Sequence, residues 1–184
     1  MPIVPDTKDW TWVLERPCPE CGFDASSLGP DQVAPLIRVN ARAWSLILAE
    51  RPELLGQRPR PDRWSALEYS CHVRDVFRLN DERLGLMLSA DNPTFPNWDQ
   101  DQTAVDDGYD EQDPMAVASE LGSAADALAA RFDTVDGAGW DRRGLRSDGA
   151  AFSVATFGRY TIHDPVHHLH DVTVDLNGLR YTGR

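Results

Sequence analysis

Histidines near the end of the sequence form a group of candidate metal ligands. Four of the five histidines are His163, His167, His168 and His170. If this stretch is helical, a rotation of about 100° per residue places His163, His167 and His170 within about 60° of one another, and His168 points away. Neutral imidazoles on one helix face suit a first-row divalent metal. The spacing therefore predicts metal binding by His163 and His167, although such pairs also occur as ordinary surface or core residues.

The fifth histidine, His72, lies two turns into another predicted helix. This helix opens with Trp-Ser-Ala-Leu-Glu, in which Ser65 is the predicted N-cap and Glu68 completes a capping box. It should run to about Ser89. Helical bundles build metal sites from side chains on facing helices. His72 is therefore the predicted third ligand, which leaves coordination positions open.

Arg159 is the candidate for binding a substrate anion. It precedes His163 by one turn on the same predicted face, and a guanidinium can hold a carboxylate through two parallel hydrogen bonds. The alternative is an ion pair with Asp75 or Glu68 on the helix of His72.

Residues around His72 allow further roles. Asp75 and Glu68 could orient the His72 ring as hydrogen-bond acceptors, although the capping box already explains Glu68. Cys71 adjoins His72 but points about 100° away from it on a helix, so we interpret it as a core cysteine rather than a nucleophile.

Two further cysteines, Cys18 and Cys21, stand in a Cys-Pro-Glu-Cys-Gly segment that has the form of one zinc knuckle. A structural zinc site needs four ligands, and the sequence has no second cysteine pair. We favour two reduced thiols in an N-terminal extension that packs Trp10 and Trp12 against the body. A site completed by a histidine or another chain, and a redox pair, are the alternatives.

Hydrophobic periodicity and capping signals predict four long helices and therefore an all-α four-helix bundle. Residues 1–30 form the extension with the two cysteines, and residues 31–184 form the bundle domain. Asp113 and Pro114 mark the start of the third long helix, and Ser153 caps the last. The connection 91–114 carries eight acidic residues and no basic one, and is expected to be a functional lid or a mobile loop.

Composition excludes several classes of protein. The formal charge of −12 and the single lysine, Lys8, make nucleic acid or an anionic bilayer an improbable partner. No apolar run approaches the roughly 18 residues of a membrane span, and the first residues lack the features of a signal peptide. A cytoplasmic protein that binds a small molecule is expected.

The motif around His72 and the later His-Asp-Pro-Val-His-His segment together resemble the DinB-like superfamily, which includes YfiT-like proteins and mycothiol-dependent maleylpyruvate isomerases. The resemblance covers about residues 31–178. It implies an up-down-down-up bundle with a divalent metal held by His72, His163 and His167. Pro165 interrupts the helical hydrogen bonding, because it has no N–H to donate to the Thr161 carbonyl. The resulting kink should change the relative directions of His163 and His167. His170 is therefore retained as a substitute ligand.

The resemblance also implies chemistry. Zinc is the favoured ion, with nickel, iron or manganese as alternatives, and a low-molecular-weight thiol is a candidate cosubstrate. A thiol-dependent S-transferase or a hydrolase is the leading expectation. A bundle whose metal has only a structural or interaction role is the alternative. Homodimers are common among the proteins that it resembles.

Overall fold

The computed structural model describes residues 3, 8–50 and 52–181, with side-chain surroundings as far as residue 177. The predicted domains 1–30 and 31–184 therefore lie partly outside the described residues, at 1–2, 4–7, 51 and 182–184. The long helices are α1 (Val33–Glu50), α3 (Ala66–Ser89), α5 (Pro114–Asp133) and α6 (Val154–Tyr181). Two short helices, α2 (Pro52–Leu55) and α4 (Gln100–Asp106), lie in the connections.

The four long helices form a bundle in which α1 and α3 each pack against both α5 and α6. The consecutive helices α1 and α3 are thus diagonal to each other. Ion pairs from Arg74 to Glu120 and from Asp81 to Arg131 show that α3 and α5 run in the same direction. The predicted all-α, up-down-down-up bundle is confirmed.

Capping residues set the helix boundaries largely as predicted. Ser65 accepts a hydrogen bond from the Glu68 amide, and Glu68 accepts one from the Ser65 amide. Asp113 caps α5 ahead of Pro114, and the Ser153 hydroxyl accepts a hydrogen bond from the first turn of α6. These contacts satisfy amides that a helix start leaves unpaired, so the sequence alone indicates where these helices begin.

A small three-stranded sheet, which the sequence analysis did not predict, joins the two long connections. Strand β2 (Arg143–Arg146) pairs in parallel with β1 (Thr94–Phe95) and antiparallel with β3 (Ala151–Ser153). A Cβ at Gly144 would lie 2.8 Å from Met87, so only glycine fits where β2 crosses α3. The sheet holds the acidic connection, which also contains α4, against the bundle.

The N-terminal extension begins with a 3-10 helix, Trp10–Leu14, capped by Asp9. It packs against α6. Two short 3-10 turns follow, Ala25–Ser27 and Pro30–Gln32. The second of these directly precedes α1, which starts at Val33, whereas the sequence indicated a first helix from about Asp31. Among the described residues, no helix is both long and apolar enough to cross a membrane.

Candidate metal centres

Helix α6 contributes to two separate groups of potential metal ligands. In each group, one ligand atom per residue lies within 4.8 Å of all the others. We call the first the cysteine site, which comprises Cys18, Cys21, His163 and His167. We call the second the cleft site, which comprises His72, Asp164 and His168. The predicted set of His72, His163 and His167 is thus divided between the two groups, and a site made of those three residues stays a prediction.

The cleft site brings two imidazoles to one carboxylate. Nε2 of His72 lies 3.2 Å from Oδ1 of Asp164, and Nε2 of His168 lies 3.8 Å from Oδ2. The other ring nitrogen of His168, Nδ1, lies 3.6 Å from a carboxylate oxygen of Asp171. A carboxylate in that position fixes the tautomer and orientation of a metal-binding imidazole.

Aromatic rings enclose the cleft site. Trp98 stacks on His72 with ring centroids 5.3 Å apart and an angle of 7° between the rings, and Trp64 approaches the same imidazole at 5.3 Å. Tyr69 lies 4.7 Å from the His168 ring. His72 is consequently fully buried. Trp98 belongs to the acidic connection, so this segment covers part of the site.

The donor set of the cleft site fits a divalent metal. Partial burial opposes ionisation of Asp164, but the neighbouring imidazoles of His72 and His168 hold its pKa well below the usual range. The group is therefore a carboxylate beside two imidazoles, a combination found in catalytic zinc sites and in non-haem iron sites. Nδ1 of His72 is buried without a hydrogen-bond partner among the described residues. The polar contact of this ring in the site is therefore that of its Nε2 with Asp164.

The cysteine site joins the extension to the adjacent face of α6. Sγ of Cys18 lies 3.6 Å from Nδ1 of His167, and Sγ of Cys21 lies 3.9 Å from Nε2 of His163. Gly22 adopts a φ of +76°, which allows the turn that brings both sulfurs to one side. Burial lowers the pKa of His163 to about 4, and burial also lowers the pKa of His167. Both imidazoles are therefore neutral at pH 7.

Trp10 and Asp171 complete the surroundings of the cysteine site. The Trp10 ring lies 5.4 Å from His163 and 5.0 Å from His167. Nε2 of His167 lies 3.5 Å from Oδ2 of Asp171. The same oxygen faces His168 in the cleft site. Asp171 thus contacts one histidine of each site.

The structure gives Arg159 a different role from either of the two predicted ones. Its Nε donates a hydrogen bond to the backbone carbonyl of Leu28 at 2.8 Å. Arg159 is not among the residues that line the cleft. It holds the segment before α1 against α6, and the predicted pairing with Asp75 or Glu68 is wrong, because Arg74 pairs with Asp75 and Arg58 with Glu68. A contact between Arg159 and a substrate anion stays a prediction.

Glu68 and Asp75 do not orient His72. Glu68 forms the capping box and an ion pair with Arg58. Asp75 accepts hydrogen bonds from Arg74 and from the Tyr109 hydroxyl. Neither carboxylate contacts the His72 ring among the described residues, because Arg58 holds Glu68 and Arg74 and Tyr109 hold Asp75.

Three other predictions concern single residues. Cys71 is a core cysteine, as expected: burial raises its pKa to about 12, and its sulfur lies 3.8 Å from the Tyr109 carbonyl. The His170 side chain is 45% exposed and belongs to neither group.

His168 was expected to point away from the metal site, but its ring centroid lies 5.0 Å from that of His72. The available signal was the Asp164-x-x-x-His168 spacing, which repeats the His163-x-x-x-His167 spacing one residue later.

Both sites border a cleft of about 1380 Å³. Its walls come from α3, α6, the extension and the two long connections. His163, Asp164, His167 and His168 all line it. It is also lined by a further polar group, Asn80, Arg83, Arg146, Tyr160 and Thr161. A small molecule in this cleft would reach Asp164 and His168 of the cleft site directly.

Comparisons with known proteins agree with this architecture. The family model of the DinB superfamily matches residues 36–172. Among solved structures, the chain is similar to YfiT from Bacillus subtilis, described as a probable metal-dependent hydrolase with an unusual four-helix bundle topology. The TM-score is 0.73 at 16% identity, over 83% of this chain and 90% of that one. No curated protein matches the sequence significantly. The match over most of the bundle shows that the chain belongs to the DinB superfamily.

Proposed function

We propose that the protein is a divalent-metal-dependent hydrolase that acts on a small molecule, with its metal held by His72, Asp164 and His168. The observation that carries this proposal is the convergence of the two Nε2 atoms on the Asp164 carboxylate at the wall of the cleft. The description of YfiT as a probable metal-dependent hydrolase supports the reaction class.

Three protein ligands suit a catalytic rather than a structural ion, because they leave coordination positions for water and substrate. Such an ion, when bound, supplies Lewis-acid activation of water or of a substrate oxygen near neutral pH. Zinc is the ion that this proposal favours. The thiol-dependent transfer expected from the sequence stays a prediction, and addition of a thiol to the same assay tests it.

The surrounding residues prepare the ligands for this role. Asp171 holds the His168 ring so that its Nε2 faces Asp164. Trp64 and Trp98 exclude water from the His72 side, which strengthens electrostatic interactions within the site. Substrate must therefore enter from the side of Asp164 and His168, where the cleft is open.

Replacement of a cleft-site ligand tests this function. We expect His168→Ala to lose one equivalent of metal and to reduce hydrolysis of a chromogenic ester, p-nitrophenyl acetate, by about 100-fold or more, since even loss of an outer contact costs 10- to 100-fold. Metal analysis and initial rates provide the measurements. His170→Ala is the matched control and should behave as the wild type. Equal metal content and rate in His168→Ala and wild type would refute the assignment.

A further inference from the structure

We propose that Cys18, Cys21, His163 and His167 bind a structural zinc ion that links the N-terminal extension to the bundle. This site is separate from the proposed catalytic ion in the cleft. It would use both residues of the Cys-Pro-Glu-Cys segment and two residues that the sequence analysis placed in a different site.

The two sulfur–nitrogen distances in this group are close to those around a tetrahedral zinc ion. Zinc lies about 2.3 Å from a thiolate sulfur and about 2.0–2.1 Å from an imidazole nitrogen, so a tetrahedral angle separates sulfur from nitrogen by about 3.5–3.6 Å. The two sulfur–nitrogen distances here are 3.6 and 3.9 Å. These two pairs are therefore within a few tenths of an ångström of tetrahedral spacing, and all four ligand atoms lie within 4.8 Å of one another.

The ligand types and their burial indicate a structural rather than a catalytic ion. Two thiolates and two imidazoles fill the tetrahedral coordination of zinc, whereas hard cations such as magnesium prefer oxygen ligands. Cys18, His163 and His167 are each at most 6% exposed. The Trp10 ring covers the two histidines. With four protein ligands, the ion would have no coordination position left for a substrate.

The site connects parts of the chain that are distant in sequence. Cys18 and His167 are 149 residues apart, and Cys21 and His163 are 142 apart. Binding of the ion would release the thiol protons to solvent and constrain the extension against α6. The extension also contributes Trp10 and Glu20 to the wall of the cleft. The ion would therefore help to shape the substrate cleft without taking part in the reaction.

Cobalt substitution of the full-length protein tests the site directly. A Co²⁺ ion bound by two thiolates gives an intense sulfur-to-cobalt charge-transfer band in the near ultraviolet and the visible bands of tetrahedral coordination. We expect the band in wild type and in His168→Ala. It should be absent in Cys18→Ser/Cys21→Ser, which should also lose one equivalent of zinc and unfold at a lower temperature.

Cys71→Ala is the matched control, because Cys71 is a buried cysteine outside the group. It should retain both the band and the zinc. If the double variant does not fold, zinc X-ray absorption of His168→Ala, which should hold only the cysteine-site ion, decides the question, with two sulfur ligands at about 2.3 Å expected. Wild type without thiolate coordination, or a double variant with unchanged zinc content, would overturn the proposal.

A second observation carries an independent inference about the cleft. We infer that Arg83 binds a carboxylate group of the substrate. This inference rests on the proposed function only in taking the cleft as the place where substrate binds. It would assign to Arg83 the role that the sequence analysis gave to Arg159.

Arg83 is a buried cation without an anionic partner. It is 6% exposed and forms no ion pair within the described residues. Its Nη2 donates to the Pro96 carbonyl at 2.7 Å, its guanidinium lies over the Phe95 ring, and its Nε has no hydrogen-bond partner. Burial and the nearby charge of Arg146 lower the pKa of Arg83 to about 10, so the group is still charged at pH 7. A buried unpaired charge is costly, and a ligand carboxylate would compensate it.

Two polar side chains that line the same cleft as Arg83 also lack partners. The Asn80 amide oxygen and the Thr161 hydroxyl are buried without hydrogen bonds in the described part of the chain. Both residues line the cleft. The threonine hydroxyl can donate to a carboxylate, and rotation of the amide can present its NH₂ group. Thr161 precedes Asp164 by three residues on α6, so this subsite begins about 5 Å from the cleft site along the helix.

Binding of succinate, compared with neutral succinamide, tests the subsite by calorimetry. We expect succinate but not succinamide to bind, and Arg83→Gln to weaken succinate binding by about 10-fold or more, since hydrogen bonds to charged groups contribute about 1.5–3 kcal/mol. Arg83→Lys should lose less, because it keeps the charge. Arg78→Gln, an exposed arginine on the same helix, is the matched control.

The same titration in His168→Ala separates this inference from the proposed function. Retained binding there would assign the carboxylate to Arg83 rather than to a metal in the cleft site. Equal succinate affinity in Arg83→Gln and wild type, or equal affinity for succinamide, would refute the subsite whatever the protein catalyses.

Discussion

At the scale of single residues, Asp171 couples the two candidate sites. One of its oxygens lies 3.5 Å from Nε2 of His167 and 3.6 Å from Nδ1 of His168. Arg63 pairs with its other oxygen at 3.2 Å. Burial opposes ionisation of Asp171, but the neighbouring His168 and His167 rings and Arg63 hold its pKa below the usual range, so the group is a carboxylate. One carboxylate can therefore orient an imidazole in each site.

We expect Asp171→Asn to weaken metal binding at both sites by about 10-fold or more, because outer-contact partners of metal-binding histidines typically contribute 10- to 100-fold. Competition with a zinc-binding dye measures both affinities in the full-length protein. Asp175→Asn is the control, since Asp175 pairs with Arg63 but contacts no histidine in the described structure. Unchanged affinity, or a change at one site only, would contradict the shared role.

At the scale of elements, α6 contributes to two sites because it carries two pairs of ligands with the same four-residue spacing, His163 with His167 and, one residue later, Asp164 with His168. That offset rotates the second pair by about 100° around the helix. His163 and His167 therefore face the extension, while Asp164 and His168 face α3. The carbonyl of Pro165, between the pairs, accepts hydrogen bonds from Asn40 and Trp44 of α1, which holds this part of α6 in place.

Local sequence signals predicted the elements better than their contacts. The caps at Ser65, Asp113 and Ser153 are decided within a few residues, so the helix starts could be found from sequence. The sheet could not, because its strands are two to four residues long and pair across distant connections. The position of Trp98 over His72 depends on that sheet, and hence was not predictable either.

The division of the ligands also lay beyond local reasoning. A helical projection correctly groups His163 with His167, but it does not say which neighbour faces them. The extension takes that face, and α3 takes the face of Asp164 and His168. A carboxylate that substitutes for an expected histidine gives no signal in a search for histidines alone. The role of Arg83 depends on the absence of an acidic partner, which only the packed structure reveals.

At the scale of the whole molecule, the bundle, the extension and the connections enclose one cleft with a metal-binding region at the wall and an unpaired arginine further along. The net charge of −12 does not prevent binding of an anionic substrate, because the charge that matters is local. The extension closes one side of this cleft and is attached through the cysteine site. Helix α6 thus carries ligands of both candidate metal sites and also joins the extension to the bundle.

The central claim is that α6 holds two metal ions, one on each face. The most direct measurement is a crystal structure of the full-length protein purified without chelators, with anomalous diffraction recorded at the metal absorption edges. Our account predicts two separate anomalous peaks in each chain, one among Cys18, Cys21, His163 and His167 and one among His72, Asp164 and His168. A single peak coordinated by His72, His163 and His167 would contradict it.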